Sequence, residues 1–291
     1  MGAEGAAPPP MTTAAERRVA RDAARRRHAR RGTVVAAVST VLVLGAVVLL
    51  VLASPGWDDV QQTFFSPEVF RESFPDVARG FWLDVKLFVI VEAVVLVLGL
   101  VVALCRISRL PALFPLRLLA TVFTDVMRGV PVILVVYLIG FGIPALGIAG
   151  LPTDPVVLGG VGLALCYTAY VAEVYRAGLD SVHPSQRAGA LAVGLTERQA
   201  MRHVVVPQAV RRVVPPLLND FISLQKDVAL VSILGPQEAF RVAQIEAASD
   251  FNYTPFLAAA LLYLLVTVPL ARIVDHQQAK ARRRQGLAVA T

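Results

Sequence analysis

Residues 173–212 read EVYRAGLDSVHPSQRAGALAVGLTERQAMRHVVVPQAVRR. The stretch is rich in arginine and holds no apolar run long enough to cross a bilayer, yet long apolar segments flank it on both sides. A connection of that length is uncommon unless it is functional or has structure of its own. Helix signals within it favour a folded surface. Pro184 can occupy a first helical turn, where its missing N–H costs nothing. The helix carrying Gln186 would stop at Gly194, a natural C-terminal cap, just before Leu195. Thr196 would start a second helix, with Gln199 at the capping-box position. That helix is expected to run through Met201 and Val205 and to break at Pro207. Two short helices hinged at Gly194 would make a compact knob.

Outward from the knob, the chain has the composition of a membrane protein. Of its 291 residues, 56% are hydrophobic and 17% charged, against roughly 45–50% and about 25% in soluble domains. Apolar runs at 33–53, 81–104, 119–143, 156–171 and 256–274 are long enough, or nearly so, to cross a hydrocarbon core of about 30 Å. A sixth span is expected at 213–234, although it carries Asn, Asp, Lys and a Pro-Pro pair. The fold class expected is an all-α membrane protein with a six-helix transmembrane bundle.

Charge orients that bundle. Segments 1–32, 105–118, 173–212 and 271–291 hold 22 of the 28 lysines and arginines, and the intervening loops 54–80, 144–155 and 235–255 hold three. The positive-inside rule then places both termini and the knob in the cytoplasm of a cell-membrane protein. The net charge of +7 is thus a topology signal. It argues against a nucleic-acid partner for the tail ERRVARDAARRRHARR, since a basic block beside a span attracts membrane lipid. The first run exceeds a signal-peptide core in length, and Pro55 closely follows the candidate cleavage box Val51-Leu52-Ala53, so an uncleaved span is expected. Segment 1–32 reads as a disordered basic tail, 33–53 as an extra helix, 54–79 as an extracytoplasmic loop, 80–274 as the core and 275–291 as a second basic tail. Cys105 and Cys166 are expected to be free thiols.

Enzyme chemistry finds little support. The four histidines do not pair at ligand spacing, so no metal site is expected, and neither a Gly-x-Ser-x-Gly elbow nor a Walker phosphate loop occurs. No cofactor is expected on this chain.

Polar residues inside the spans are the remaining candidates, because intramembrane charge is costly and faces a cavity or a partner. At about 100° per residue, Asn219, Asp220, Ser223, Lys226 and Asp227 fall on one stripe of the 213–234 helix. The stripe would line a translocation path or a subunit interface. Glu92 stands mid-span, with Lys226 or Arg128 as candidate partners. Asp84 and Lys86 are expected near the outer end of their span, within reach of water. Asp125 and Arg128 have the spacing of a helical ion pair.

The 173–212 segment resembles the EAA cytoplasmic loop of permease subunits of ATP-binding-cassette (ABC) importers. That pattern places a Glu-Ala-Ala triplet four residues before a glycine and ends on Leu-Pro. Here Ala188-Gly189-Ala190, Gly194 and Val206-Pro207 stand in those places. The wider likeness is to the polar-amino-acid branch. It is carried by Ala169-Tyr170-Val171-Ala172-Glu173, Arg176-Ala177-Gly178, Pro207-Gln208-Ala209, Pro215-Pro216-Leu217-Leu218-Asn219, Leu224-Gln225-Lys226-Asp227-Val228-Ala229-Leu230 and Arg128-Gly129-Val130-Pro131, and covers roughly 80–274. One departure is Ala188, where the family carries glutamate.

The resemblance implies a type I importer permease that passes a polar or charged amino acid, of the glutamate, glutamine or basic class. Its implied partners are a cytoplasmic ATPase dimer that uses ATP-Mg, a second permease subunit (identical or different), and an extracytoplasmic amino-acid-binding protein. The ATPase-coupling residues it implies are Pro184, Gln186, Ala188, Gly189, Gly194, Leu195 and Pro207. The competing reading is a carrier driven by an ion gradient, using Glu92 and the carboxylates of the 213–234 span.

Overall fold

The computed structural model describes residues 32, 35–108 and 110–289. The expected disordered tail therefore lies outside the described residues, save Gly32. Among the described residues the regular structure is helical throughout, without a strand.

The chain divides after Gln61. The first unit contains α1 (Val35–Leu52), apolar and long enough to cross a bilayer, with none of its span buried. A short turn leads into α2 (Trp57–Phe64).

The division falls within α2, and the second unit takes in its last turn and then α3 (Pro67–Ile107). Ser66 caps it by accepting from the Val69 N–H, and Pro67 sits in its first turn. At 41 residues and 1.5 Å per residue, α3 is about 60 Å long, twice the hydrocarbon thickness. Much of segment 54–80, expected as loop, is therefore helical. Segment 235–255 is likewise largely helical, as α10 (Ala239–Asp250).

The expected continuous span at 119–143 is broken. Helix α4 (Phe114–Gly129) and α5 (Val132–Ala145) meet at 106°. Pro131 is the cause. It has no N–H to continue the helix, and its ring drives the preceding Val130 to extended geometry (φ −103°, ψ 136°).

Helix α6 (Pro155–Asp180) is the central post. Asp154 caps it, accepting from the Val157 N–H at 2.9 Å. Glycines let neighbouring helices approach closely, as small residues do in membrane bundles. A Cβ on Gly162 would lie 2.9 Å from the Val136 Cα of α5, and one on Gly99 would lie 2.6 Å from Val171. The main core includes Phe88, Val95, Val136, Leu163, Leu224 and Val231.

The knob follows as α7 (Pro184–Ala192) and α8 (Glu197–Ala200). A π turn (Met201–Val205) then runs into α9 (Val206–Asp227) without a break at Pro207. This corrects the expected interruption. The wider π turn leaves room for the Pro207 ring where a tight α turn would clash, and the missing N–H falls in the first turn of α9. A 3₁₀ segment (Val228–Leu234) continues α9 to Gly235. Helix α11 (Thr254–Val289) is the last described element.

Four described helices can cross a bilayer by length and composition, or five if α4 and α5 make one bent span. Helix α9 is not among them. It carries Asn219, Asp220, Lys226 and Asp227 together with two internal prolines.

Candidate functional site

The knob is built from local signals. Gly194 adopts φ +90°, a left-handed conformation that side chains resist. Its N–H donates to the Leu191 carbonyl at 3.0 Å, and the Leu195 N–H to that of Ala190 at 3.2 Å. These two bonds form a Schellman motif that stops α7. Thr196 and Gln199 then make a capping box for α8. Arg187 ties α7 to α8, its Nε donating to Glu197 at 2.9 Å. Gln208 donates to Gln186 at 3.3 Å, linking α7 to α9. Val182, Val205 and Ala209 pack beneath with Leu179. Ala188, Gly189 and Gly194 face outward, and nothing lies within 4 Å of a Cβ on either glycine. Beside them Val193 is 79% exposed.

The stripe of α9 is less uniform than its periodicity predicts. Asp227 accepts from the Tyr167 hydroxyl of α6 at 2.8 Å. Asp220 is half-buried, and its Oδ2 has no hydrogen-bond partner among the described residues. Ser223 is half-buried, whereas Asn219 and Lys226 are exposed. Gln225, off the stripe, is buried and accepts from the Thr267 hydroxyl of α11 at 2.7 Å.

Glu92 is buried on α3, and neither Lys226 nor Arg128 forms an ion pair with it. Asp220 of α9 lies within electrostatic range of it. The spacing-based pair of Asp125 and Arg128 is not formed either. Asp125 is exposed, and Arg128 turns toward Glu173 at 3.7 Å because the bend at Pro131 sets the end of α4 against α6.

Glu173 is the centre of a cluster that residue spacing did not reveal. Arg106 of α3 donates to it at 2.7 Å, and Arg176, one turn along α6, also binds it. Arg176 further binds Asp180 at 2.7 Å. The cluster ties α3, α4 and α6 together just before the knob. Glu173 and Arg176 stood within the family-like segments, but partners on three helices cannot be read from one chain's spacing.

A second missed cluster lies at the other end of the core. Asp84, expected within reach of water, is buried. It accepts from the Tyr263 hydroxyl at 2.8 Å and from the Ala239 N–H at 3.3 Å. Glu238 caps α10 by accepting from Phe240 and Arg241 N–H groups, and burial pushes its carboxyl above the usual range. The approach of α10 to α3 buries Asp84, with the Glu238 backbone lying against Gly80.

The knob, its helical link into α9 and the polar groups of α3 and α9 occur in a sequence with recognisable relatives. The family described as binding-protein-dependent transport system inner membrane component matches residues 95–283. The chain belongs to this family. This permease is 32% identical to the arginine transport system permease protein ArtQ of Bacillus subtilis, over 68% of the chain and 89% of that protein. It is 36% identical to the probable amino-acid ABC transporter permease protein PatM of Vibrio harveyi, over 65% of the chain and 83% of that protein. Among solved structures, the crystal structure of an amino acid ABC transporter with histidines aligns with a TM-score of 0.64 at 30% identity. That alignment covers 72% of this permease and 94% of the other chain. The family match includes the knob, α9 and the Glu173 cluster, and leaves α1 outside it.

Proposed function

We propose that this permease forms one half of the pathway of an importer for a polar or charged amino acid, and that residues 184–207 seat a cytoplasmic ATPase. The observation that carries the proposal is continuity. The exposed knob leads through the π turn, without a loop, into the helix that bears Asp220, Ser223 and Asp227. A push on the knob is then a push on α9. The ties from Arg187 to Glu197 and from Gln208 to Gln186 keep the knob from deforming first.

In this reading ATP-Mg is held by the partner ATPase, and closure of an ATPase dimer moves the knobs of two permease subunits. Pro184, Gln186 and Leu195 shape the knob, while Ala188, Gly189 and Gly194 present its surface and Pro207 starts its lever. Ala188 offers only a methyl group where the family carries glutamate, so docking rests on shape and on neighbouring charge. A second subunit that keeps the glutamate would suit such a pair. Glu92 and Asp220 would meet the ammonium group of the substrate. Asn219, Ser223, Lys226 and Asp227 would line the path or the subunit interface. The charge pattern puts both termini and the knob in the cytoplasm, with α9 as the sixth span. An external binding protein would then meet segments 54–80 and 235–255. Residues 33–53 would form an added helix outside the 80–274 core.

Purification of the tagged full chain in mild detergent tests this assembly. Co-purification of an ATPase and a second permease subunit is expected, whereas a chain that purifies with neither would overturn the proposal.

A further inference from the structure

The pocket between the ends of α3, α4 and α6 has no part in the coupling described above. It measures about 230 Å³ and is lined by Arg106, Arg117, Arg176 and Thr121, with Phe114 and Leu118. Arg106 and Arg176 share Glu173, and Arg176 also holds Asp180. Arg117 differs from them. Among the described residues it forms no ion pair with a carboxylate; it lies 5.2 Å over the Phe114 ring and donates to the Ser108 carbonyl at 3.5 Å. With Arg128 also beside Glu173, four guanidinium groups meet two carboxylates. A concave surface with that excess of positive charge attracts anions.

The surroundings select the kind of anion. Phe114 and Leu118 are exposed, and so are Leu116, Leu119 and Val122 along α4. On α3, exposed Leu104 is followed within two residues by Arg106. The pocket therefore sits where apolar surface gives way to guanidinium groups, which is the level of headgroup phosphates in a bilayer. A free phosphate ion would leave the apolar flank unused, whereas a phospholipid would place its phosphoryl group among the arginines and its acyl chains along α4.

We propose that the pocket of Arg106, Arg117 and Arg176 binds the phosphoryl headgroup of an acidic phospholipid in the leaflet on the knob side. The bound lipid would bridge the three helices that Glu173 ties together.

Thermal unfolding of the full-length chain in neutral detergent tests the site, with phosphatidylglycerol, phosphatidylcholine or inorganic phosphate added. Phosphatidylglycerol should raise the unfolding temperature, and the other two should not. Arg117→Gln removes no carboxylate pair and should raise the phosphatidylglycerol concentration needed for a given upward shift about fivefold, the contribution of one cation near an acidic lipid surface. Arg117→Lys should keep most of the response. An equal response in Arg117→Gln and wild type would overturn the site. So would an equal response to phosphatidylcholine. A matching response to inorganic phosphate would assign the pocket to a free anion instead. Loss of ATPase co-purification in Arg117→Gln, with the lipid response intact, would assign it to a protein contact. Should Arg117→Gln fail to fold, high salt decides on the wild type: the response should shrink through screening, and a response of undiminished size would overturn the proposal.

Discussion

Gly194 holds a conformation that a β-branched side chain resists, at φ +90°, on a surface with open space around it. Gly194→Val therefore meets backbone strain and no clash. The cost of forcing it into the left-handed region is about 1–2 kcal/mol, enough to redirect the chain between α7 and α8 while leaving the distant spans unaffected. The variant should insert in the membrane at wild-type levels and lose ATP-driven uptake, ATPase co-purification or both. Normal uptake would remove the knob from the mechanism. Glu173 makes the contrasting residue-scale case. Its side chain is 20% exposed and serves three arginines. Glu173→Gln would leave those arginines crowded without their shared anion. Destabilisation on the order of 2 kcal/mol is expected, between the values for exposed and for buried pairs, and should appear as a lower unfolding temperature in detergent. Gly194 was legible in the sequence because its signals lie within a few residues of one another. Glu173 was not, because its partners come from α3 and α4, and Arg128 reaches it only through the bend at Pro131.

Among the elements, the contact of α5 with α6 rests on close approach. Gly162 faces the Val136 backbone, whereas Gly142 on α5 has nothing within 4 Å of a Cβ. Gly162→Val should destabilise the bundle by about 1–3 kcal/mol through overpacking, and Gly142→Val should change thermal stability little. Equal effects of the two would mean that this interface does not hold the bundle. The helices themselves were legible wherever apolar runs were long, as in α1, α3, α6 and α11. Their ends were not. Helix α3 extends well before its apolar run because Ser66 and Pro67 start it early. Pro131 lies inside the run 119–143 expected as one span, yet it turns the chain by 106°. Pro207 signals a break in sequence, yet the π turn before it absorbs the ring. Proline marks a disturbance in sequence, while its outcome depends on the turn beside it.

For the whole molecule, the lysine and arginine asymmetry makes a topological prediction. A single cysteine placed at Ser185, in the knob, should react with a membrane-impermeant thiol reagent only after the cells are opened. One placed at Ser249, in α10, should react on intact cells. The background would lack Cys105, which is half-buried, and Cys166, which is buried. The opposite labelling pattern would invert the orientation and move the knob away from any ATPase. In the proposed function a partner's ATP drives the movement of α9. Uptake of radiolabelled amino acid can be followed into proteoliposomes holding the complete complex, with its binding protein outside, ATP trapped inside and all ion gradients dissipated. Uptake that requires ATP and ignores an ionophore is the predicted result. Uptake that proceeds without ATP under an imposed gradient and stops with the ionophore would contradict it, and would assign Glu92 and Asp220 to an ion-coupled carrier.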